Sequence, residues 1–206
     1  MPLHPNFDAA KGSLHVHLMG PPGVGKSVIA HLVTAKLKLA GVPTEMVQEY
    51  AKELLWAGRL DPDHQILTTA EQIRREQHLE GRVRVIVTDS PPILGMLYAK
   101  SEMREPLRMM ISSLTAHWST ADYLLSRPDM AASYEQIGRN ETAEESARLG
   151  RLLERLTAGV GPAHLVMREH KDGAGWVADS VATDVLSLIN GSRHSLTDHE
   201  SPSLGP

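Results

Sequence analysis

Residues 20–27 have the types and the spacing of a loop that binds phosphate groups. They match the pattern G-x-x-x-x-G-K-[ST] as Gly20, Pro21, Pro22, Gly23, Val24, Gly25, Lys26 and Ser27. The glycines let successive backbone N–H groups turn inward around an anion. Lys26 adds a positive charge for the outer phosphates, and the Ser27 hydroxyl can ligate a Mg²⁺ ion that the same phosphates hold. The pattern therefore predicts a nucleoside triphosphate, most often ATP, as the ligand.

The residues on both sides of this loop favour a strand before it and a helix after it. Apolar residues alternate ahead of the loop at Leu14, Val16 and Leu18. After the loop they recur at roughly helical spacing, at Val28, Ile29, Leu32, Val33 and Leu37. A helix that begins near Gly25 would direct the positive end of its dipole at the bound phosphates.

Two carboxylates end predicted strands and are candidates for catalysis. Residues 44–49 predict a second strand that ends in Glu49, and residues 83–87 predict a third that leads to Asp89. Asp89 has the usual place of a second nucleotide-site carboxylate, and we predict that it holds Mg²⁺ together with Ser27. Glu49 is placed to accept the proton of an acceptor hydroxyl or to help order Mg²⁺ through water, with Asp89 as the competitor for either role. The alternative for Glu49 is an ion pair at a helix N-terminus.

An arginine at position 139 is a candidate for a catalytic lid. It lies in the sequence 138–145, Gly-Arg-Asn-Glu-Thr-Ala-Glu-Glu, between the predicted fourth and fifth strands. An arginine on a mobile segment can neutralise charge on the transferring phosphoryl group, and closure of the segment excludes water. The alternative is a solvated helix whose arginines pair with Glu141, Glu144 and Glu145.

Other polar residues give weaker signals. Gln72 and Arg75 lie on a helix predicted over about residues 63–79 and are candidates for binding a substrate base or phosphate. An exposed polar helix face explains them nearly as well. The pair His15 and His17 has no carboxylate or thiol beside it in the sequence, which favours a structural role over a metal site.

The alternation of strands and helices predicts an α/β fold that brings these residues together. We expect a three-layer P-loop NTPase fold with a mostly parallel five-stranded sheet, a helical lid and ligands at the carboxyl ends of the strands. A helical region over about residues 94–118 is expected to break at Glu105–Pro106. The remaining predicted elements are a strand at 123–125, a strand at 165–167 and a helix at 177–189. One domain is predicted over residues 13–190, with a flexible leader at 1–12 and a disordered tail at 191–206.

The composition of the 206-residue chain excludes several classes of protein. The formal charge is −4 with both signs interspersed, so no overall basic character indicates nucleic-acid binding, although a local patch can act under a negative total. Cysteine is absent, which excludes disulfides and thiolate metal sites. There is no long apolar run and no secretion signal, so we expect no membrane association and a cytoplasmic protein, in the host cytoplasm if phage-encoded.

Several blocks of the sequence together resemble a family of small phage P-loop kinases. These blocks are residues 20–27, the sequence EYAKELLW at 49–56, the helix with Gln72 and Arg75, residues 85–91, and Tyr134 followed by Gly138-Arg139. The family is related to the kinase domain of bacterial nicotinamide riboside kinases and is often catalogued as AAA-type ATPases. Within it, residues 14–170 are most similar to the 5-hydroxymethyluracil DNA kinases of phages with hypermodified thymidines.

The resemblance implies that ATP, with Mg²⁺, phosphorylates the hydroxymethyl group of 5-hydroxymethyl-2'-deoxyuridine within phage DNA. The phosphorylated base would then be activated for replacement by a nucleophile, a step in thymidine hypermodification. Two alternatives stay open. One is a kinase of a free nucleoside, nucleotide or nicotinamide riboside, and the other is a regulatory or binding module that hydrolyses ATP.

Overall fold

The computed structural model describes residues 12–127, 141–157, 163–166 and 173–197. Five strands lie in these ranges: β1 (Leu14–Met19), β2 (Thr44–Val47), β3 (Val85–Thr88), β4 (Ser119–Ser126) and β5 (Ala163–Val166). The same ranges contain the helices α1 (Lys26–Leu39), α2 (Tyr50–Trp56), α3 (Gln65–Gln77), α4 (Gly95–Tyr98), α5 (Ser101–Thr115), α6 (Ala143–Thr157) and α7 (Gly173–Thr197). Short 3₁₀ turns at Pro62–His64 and Pro92–Leu94 precede α3 and α4.

The five strands form one parallel sheet in the order β2-β3-β1-β4-β5. β1 is central, with Leu14 opposite Val85 of β3 on one side and opposite Ser119 of β4 on the other. The chain first builds the β3 side of β1 and then crosses to the β4 side. In such sheets ligands bind where the strand order reverses, beyond the carboxyl end of the strand at that point. Residues 20–27 follow β1 directly and therefore lie at this position.

The two faces of the sheet are covered by different helices. Val16 and Leu18 of β1 lie in a core with Ile29 of α1 and Val181 of α7. Met19 faces the other side, because neighbouring side chains of a strand alternate, and it packs there with apolar residues of α4 and α6. The described residues thus form helix, sheet and helix layers, which confirms the predicted three-layer α/β fold with a five-stranded parallel sheet. In the described ranges no helix is long and apolar enough to cross a membrane.

Two predicted boundaries are wrong. α5 continues through Pro106, and the helical region is interrupted at Ala99, whose ψ of 138° is extended. Pro106 is exposed, so the carbonyl group that loses its N–H partner can bond to water and the helix tolerates the proline. α7 ends at Thr197, so residues 191–197 are helical where the sequence predicted a disordered tail. Residues 1–11 and 198–206, most of the predicted leader and the rest of the tail, lie outside the described residues.

Candidate active site

The loop between β1 and α1 has the backbone geometry that its glycines predict. Gly25 is the N-cap of α1 with φ of 96°, a conformation that side chains disfavour. At Gly20 an added Cβ would lie 2.7 Å from Val24 Cγ1 and 2.9 Å from the carbonyl oxygen of Leu125, so the loop passes against β4 where only glycine fits. The first turn of α1 contains no acidic residue. Its N–H groups and the positive end of its dipole therefore form an anion site.

Lys26 is held over this loop by the loop's own carbonyl groups. Its ammonium group donates hydrogen bonds to the carbonyl oxygens of Gly20, at 2.8 Å, and Pro21, at 3.1 Å. Lys26 and Ser27 both line a cavity of about 490 Å³ that adjoins the loop. This volume lies in the range of pockets that bind small molecules. The predicted phosphate-binding residues therefore meet a cavity large enough for part of a nucleotide or an acceptor.

Glu49 lines the same cavity from the N-cap position of α2. Burial raises the pKa of its carboxyl group above the ordinary range, the charge of Lys26 opposes this shift, and the charge of Asp89 adds to it. Lys52, the partner expected if Glu49 were only a helix-terminal charge, influences the pKa of Glu49 less than Lys26 does. A carboxylate with a raised pKa is a stronger proton acceptor, so the surroundings of Glu49 suit a general base.

Asp89 follows β3 and is 3% exposed. Thr88, the residue before it, lies opposite His17 of β1, so Asp89 comes level with the end of β1 just before the phosphate loop. Its Oδ1 atom is buried and has no hydrogen-bond partner among the described residues. A buried carboxylate oxygen needs a compensating charge or donor. The unpartnered oxygen of Asp89 is suited to a Mg²⁺ ion or its bound water. That Asp89 and Ser27 hold Mg²⁺ together stays a prediction.

The two residues predicted to bind substrate have different surroundings. Gln72 is buried and lines the cavity, where its side-chain carbonyl accepts from the Tyr50 N–H at 3.0 Å and its amide donates to the Thr88 hydroxyl at 3.3 Å. Gln72 thus ties α2 to β3 and supports the cavity wall. Arg75 makes ion pairs with Glu53, at 2.9 Å, and Glu71, at 3.0 Å, and it is not among the residues that line the cavity. Substrate binding by Gln72 and Arg75 stays a prediction.

The predicted lid lies partly outside the described residues, and Arg139 is among those left out. Its described end reaches the site, because Glu141 lines the cavity. Thr142 and Glu145 then form a reciprocal cap at the start of α6, with the Thr142 N–H donating to Glu145 at 2.8 Å and the Glu145 N–H to the Thr142 hydroxyl at 3.2 Å. Glu145 is therefore a capping residue. The T-x-x-E spacing was the sequence signal for this cap.

The helix after the lid is attached to the phosphate loop. Ser146 of α6 donates a hydrogen bond to the Pro22 carbonyl oxygen at 2.6 Å. One turn later Gly150 packs against the Pro21 ring. A Cβ atom added at Gly150 would lie 3.4 Å from this ring. Sequence reasoning missed this attachment because the bonded residues are 124 positions apart. The start of α6 is therefore fixed directly against the phosphate loop.

Three features define a P-loop nucleotide-binding protein with the fold of P-loop kinases. They are the glycine-rich loop after the central strand, the lysine of this loop, and the buried carboxylate after the neighbouring strand. The family model described as "AAA domain" matches residues 15–169, and the chain belongs to this family. No curated protein sequence matches the chain significantly.

Solved structures confirm the fold at low sequence identity. NadR protein in complex with NAD and AMP-PNP is similar with a TM-score of 0.56 and 17% identity, over 94% of this chain and 52% of NadR. NadR in complex with NR is similar with a TM-score of 0.59 and 18% identity, over 94% of this chain and 54% of NadR. The deoxyadenosine kinase from M. mycoides, solved with dCMP and a flexible dCDP, has a TM-score of 0.53 and 11% identity. The match covers 86% of this chain and 99% of the kinase. The chain thus spans about half the length of NadR and nearly all of the deoxyadenosine kinase.

Proposed function

We propose that the protein is an ATP-dependent kinase that transfers a phosphoryl group to the hydroxyl of a nucleoside-type acceptor. The observation that carries this proposal is the position of Glu49, whose raised-pKa carboxyl group lines a cavity of about 490 Å³ beside the phosphate loop. A module that only hydrolyses ATP needs a water molecule and no acceptor cavity. Solved structures with this fold support the proposal through their bound ligands, which are NAD and AMP-PNP in NadR and dCMP and dCDP in the deoxyadenosine kinase.

The proposed reaction assigns a task to each group. The acceptor hydroxyl gives its proton to Glu49 while its oxygen forms a bond to the γ-phosphorus of ATP. The bond between that phosphorus and the β–γ bridging oxygen breaks, and ADP leaves. Lys26 and the loop N–H groups stabilise the phosphate charge during transfer. Asp89 and Ser27 would hold Mg²⁺, which would neutralise further charge on the phosphates when bound. Arg139 is proposed to complete the site from the lid.

The finer proposal for the acceptor is 5-hydroxymethyl-2'-deoxyuridine within DNA, which the resemblance to hydroxymethyluracil DNA kinases supports. The cavity wall carries amide and hydroxyl groups suited to the polar edge of a base, at Gln65, Thr68 and Thr69. A base inside a duplex would have to leave the stack to reach this cavity. Phosphorylation at the hydroxymethyl oxygen would then create a leaving group for later substitution.

A free nucleoside, nucleotide or nicotinamide riboside is the second candidate acceptor. It is favoured by the net charge of −4 and the absence of a basic run in the sequence, since binding to DNA draws largely on positive charge. A cavity of about 490 Å³ also suits a small acceptor without any flipping step. Both candidates use the same loop and the same base.

The decisive experiment offers γ-labelled ATP with several acceptors in parallel. The same enzyme is tested with hydroxymethyluracil-containing DNA in single- and double-stranded form and with matched thymine DNA. It is also tested with free 5-hydroxymethyl-2'-deoxyuridine and with nicotinamide riboside. We expect label on hydroxymethyluracil DNA and none on thymine DNA. Label confined to a small acceptor selects the second candidate. Release of phosphate with no labelled acceptor contradicts the kinase and leaves the ATP-hydrolysing module.

A further inference from the structure

His15 and His17 lie in a buried group of ionisable side chains between β1 and α3. His15 Nδ1 lies 3.0 Å from Oε2 of Glu76, and His17 Nε2 lies 3.5 Å from the same oxygen. The side chains of His15 and Glu76 are fully buried and that of His17 is 9% exposed. One ligand atom from each of the three residues lies within 4.8 Å of the other two. Sequence patterns did not reveal this group, because Glu76 is about sixty positions away from both histidines.

The second ring nitrogen of each histidine faces another carboxylate. His15 Nε2 lies 2.6 Å from Glu80 Oε2, and His17 Nδ1 lies 2.8 Å from Asp122 Oδ1. Histidines that bind a metal almost always donate their other ring N–H to a carboxylate, a carbonyl or water, and this fixes the tautomer. With protons on these outer nitrogens, the lone pairs of His15 Nδ1 and His17 Nε2 both face Glu76.

Two lone pairs and a carboxylate oxygen at these distances repel unless a positive charge lies between them. An additional proton or a metal ion can supply this charge. The two imidazoles are surrounded by the carboxylates of Glu76, Glu80 and Asp122, so the group accommodates a doubly charged ion without becoming positive. In the part of the chain that is described, His17 Nε2 and Glu76 Oε1 are buried without a hydrogen-bond partner. A metal ion between these groups would use the lone pair of His17 Nε2 and the free oxygen of Glu76.

We propose that His15, His17 and Glu76 bind a divalent transition-metal ion of the zinc class. In a tetrahedral zinc site with bonds of about 2.0–2.1 Å, neighbouring ligand atoms lie about 3.3 Å apart. The distances of 3.0 and 3.5 Å from Glu76 to the two histidines bracket this value. Imidazole ligands select such an ion over Mg²⁺, which prefers oxygen.

The ion fastens α3 to the central strand below the phosphate loop. His17 precedes the first loop glycine by three positions, and Gln72, one turn before Glu76 on α3, lines the nucleotide cavity. Metal binding of this kind contributes to the stability of the fold, because the ligands are not assembled in the unfolded chain. The site is separate from the Mg²⁺ position at Ser27 and Asp89 and does not depend on which acceptor is phosphorylated.

The first test is the metal content of the full-length protein, expressed or refolded with Zn²⁺, freed of nucleotide and passed through gel filtration. We expect one zinc ion per chain by elemental analysis. Glu76→Gln and His17→Gln each remove a ligand at nearly constant volume and are expected to lose the ion. His78→Gln changes an exposed histidine just after α3 and is the matched control that keeps it. A wild-type protein without stoichiometric zinc, or unchanged zinc in both ligand variants, overturns the proposal.

The second test uses Co²⁺ and keeps the proposal testable if the ligand variants do not fold. One equivalent of Co²⁺ in the wild-type protein is expected to show the strong visible absorption of a four- or five-coordinate site, and Asp122→Asn is expected to weaken binding about 10- to 100-fold. Weak octahedral absorption, or equal binding of Mg²⁺, contradicts the proposal. Ser27→Ala is expected to keep its zinc, and loss of zinc in this variant would assign the ion to the phosphate loop instead.

Discussion

The carboxyl group of Glu49 is proposed to receive the acceptor proton, and its surroundings set how the reaction depends on pH. Burial raises its pKa, so the proton-accepting form becomes populated only as the pH rises through that raised value. We expect kcat to increase with pH across this range and then to level off. Glu49→Gln is expected to remove this increase and to lower kcat by about 10²–10⁴-fold, measured as a pH–rate profile. If the variant keeps the wild-type profile, Asp89 or another group is the base.

Lys26 places its charge on the loop that is proposed to hold the transferring phosphates. Its bonds to the Gly20 and Pro21 carbonyl oxygens fix the ammonium group at this position. Lys26→Ala is expected to lower kcat by about 10²–10³-fold, by analogy with the loss of one stabilising donor at a reacting oxygen. Steady-state kinetics measure the effect. Lys38→Ala is the matched control, because Lys38 lies on the same helix in an exposed ion pair with Glu45, and an equal loss in both variants would contradict a specific role for Lys26.

At the scale of residues, local sequence patterns predicted the phosphate loop but did not predict the contacts between distant parts of the chain. Lys26 and Ser27 are specified by their spacing from the glycines, and Glu49 and Asp89 by the ends of apolar runs. The sequence did not indicate that Gln72 bonds to the Tyr50 backbone, nor that Ser146 bonds to Pro22. Such pairs depend on how helices pack on the sheet, which periodicity within one segment does not determine.

Among the elements, the segment before α6 is proposed to act as a lid through Arg139. An arginine that contacts the phosphoryl group mainly during transfer contributes to the transition state more than to the bound nucleotide. Arg139→Ala is therefore expected to lower kcat about 10³-fold or more while the dissociation constant for ATP changes little. Arg155→Ala, at an exposed position of α6, is the control. Equal losses in kcat and in ATP affinity would restrict Arg139 to ground-state binding.

The attachment of α6 to the phosphate loop has its own consequence for stability. Ser146→Ala removes the hydrogen bond to the Pro22 carbonyl oxygen and leaves that oxygen with one partner fewer. We expect a loss of about 1 kcal/mol in the free energy of unfolding, measured by urea denaturation, together with weaker ATP binding. Ser187→Ala, which removes an exposed bond within α7, is expected to change neither quantity measurably. Unchanged ATP affinity in Ser146→Ala would mean that α6 does not support the loop.

The order of the elements followed from sequence periodicity, whereas their ends did not. β1 lies where the alternation of Leu14, Val16 and Leu18 predicts a strand. Pro106 misled the prediction for α5, since a proline on the solvent side of a helix costs less than one in a packed position. The packing of α7 against α1, through residues such as Val181, is a long-range contact that no local signal reveals.

For the whole molecule, the overall charge limits how DNA could be held. The chain has 21 lysines and arginines against 25 aspartates and glutamates, and no basic run in the sequence could follow a DNA backbone. If hydroxymethyluracil DNA is the acceptor, its KM is expected to depend weakly on salt. The slope of log KM against the logarithm of the salt concentration is expected to be about 3 or less. Kinetics between low and moderate salt measure this slope, with a free nucleoside as the reference that salt leaves nearly unaffected. A slope of about 6 or more would show that a local basic patch binds the DNA backbone.

The packing of α7 also affects how the protein is made. Its buried residues Val177, Val181 and Val185 share one core with Val16 of β1 and Ile29 of α1, although they are synthesised long after them. Nascent chains that stop before α7 expose the apolar side of the first strand and helix to water. We therefore expect the first strand and helix to gain their cover from α7 late in translation, and chains that lack α7 to be prone to aggregation.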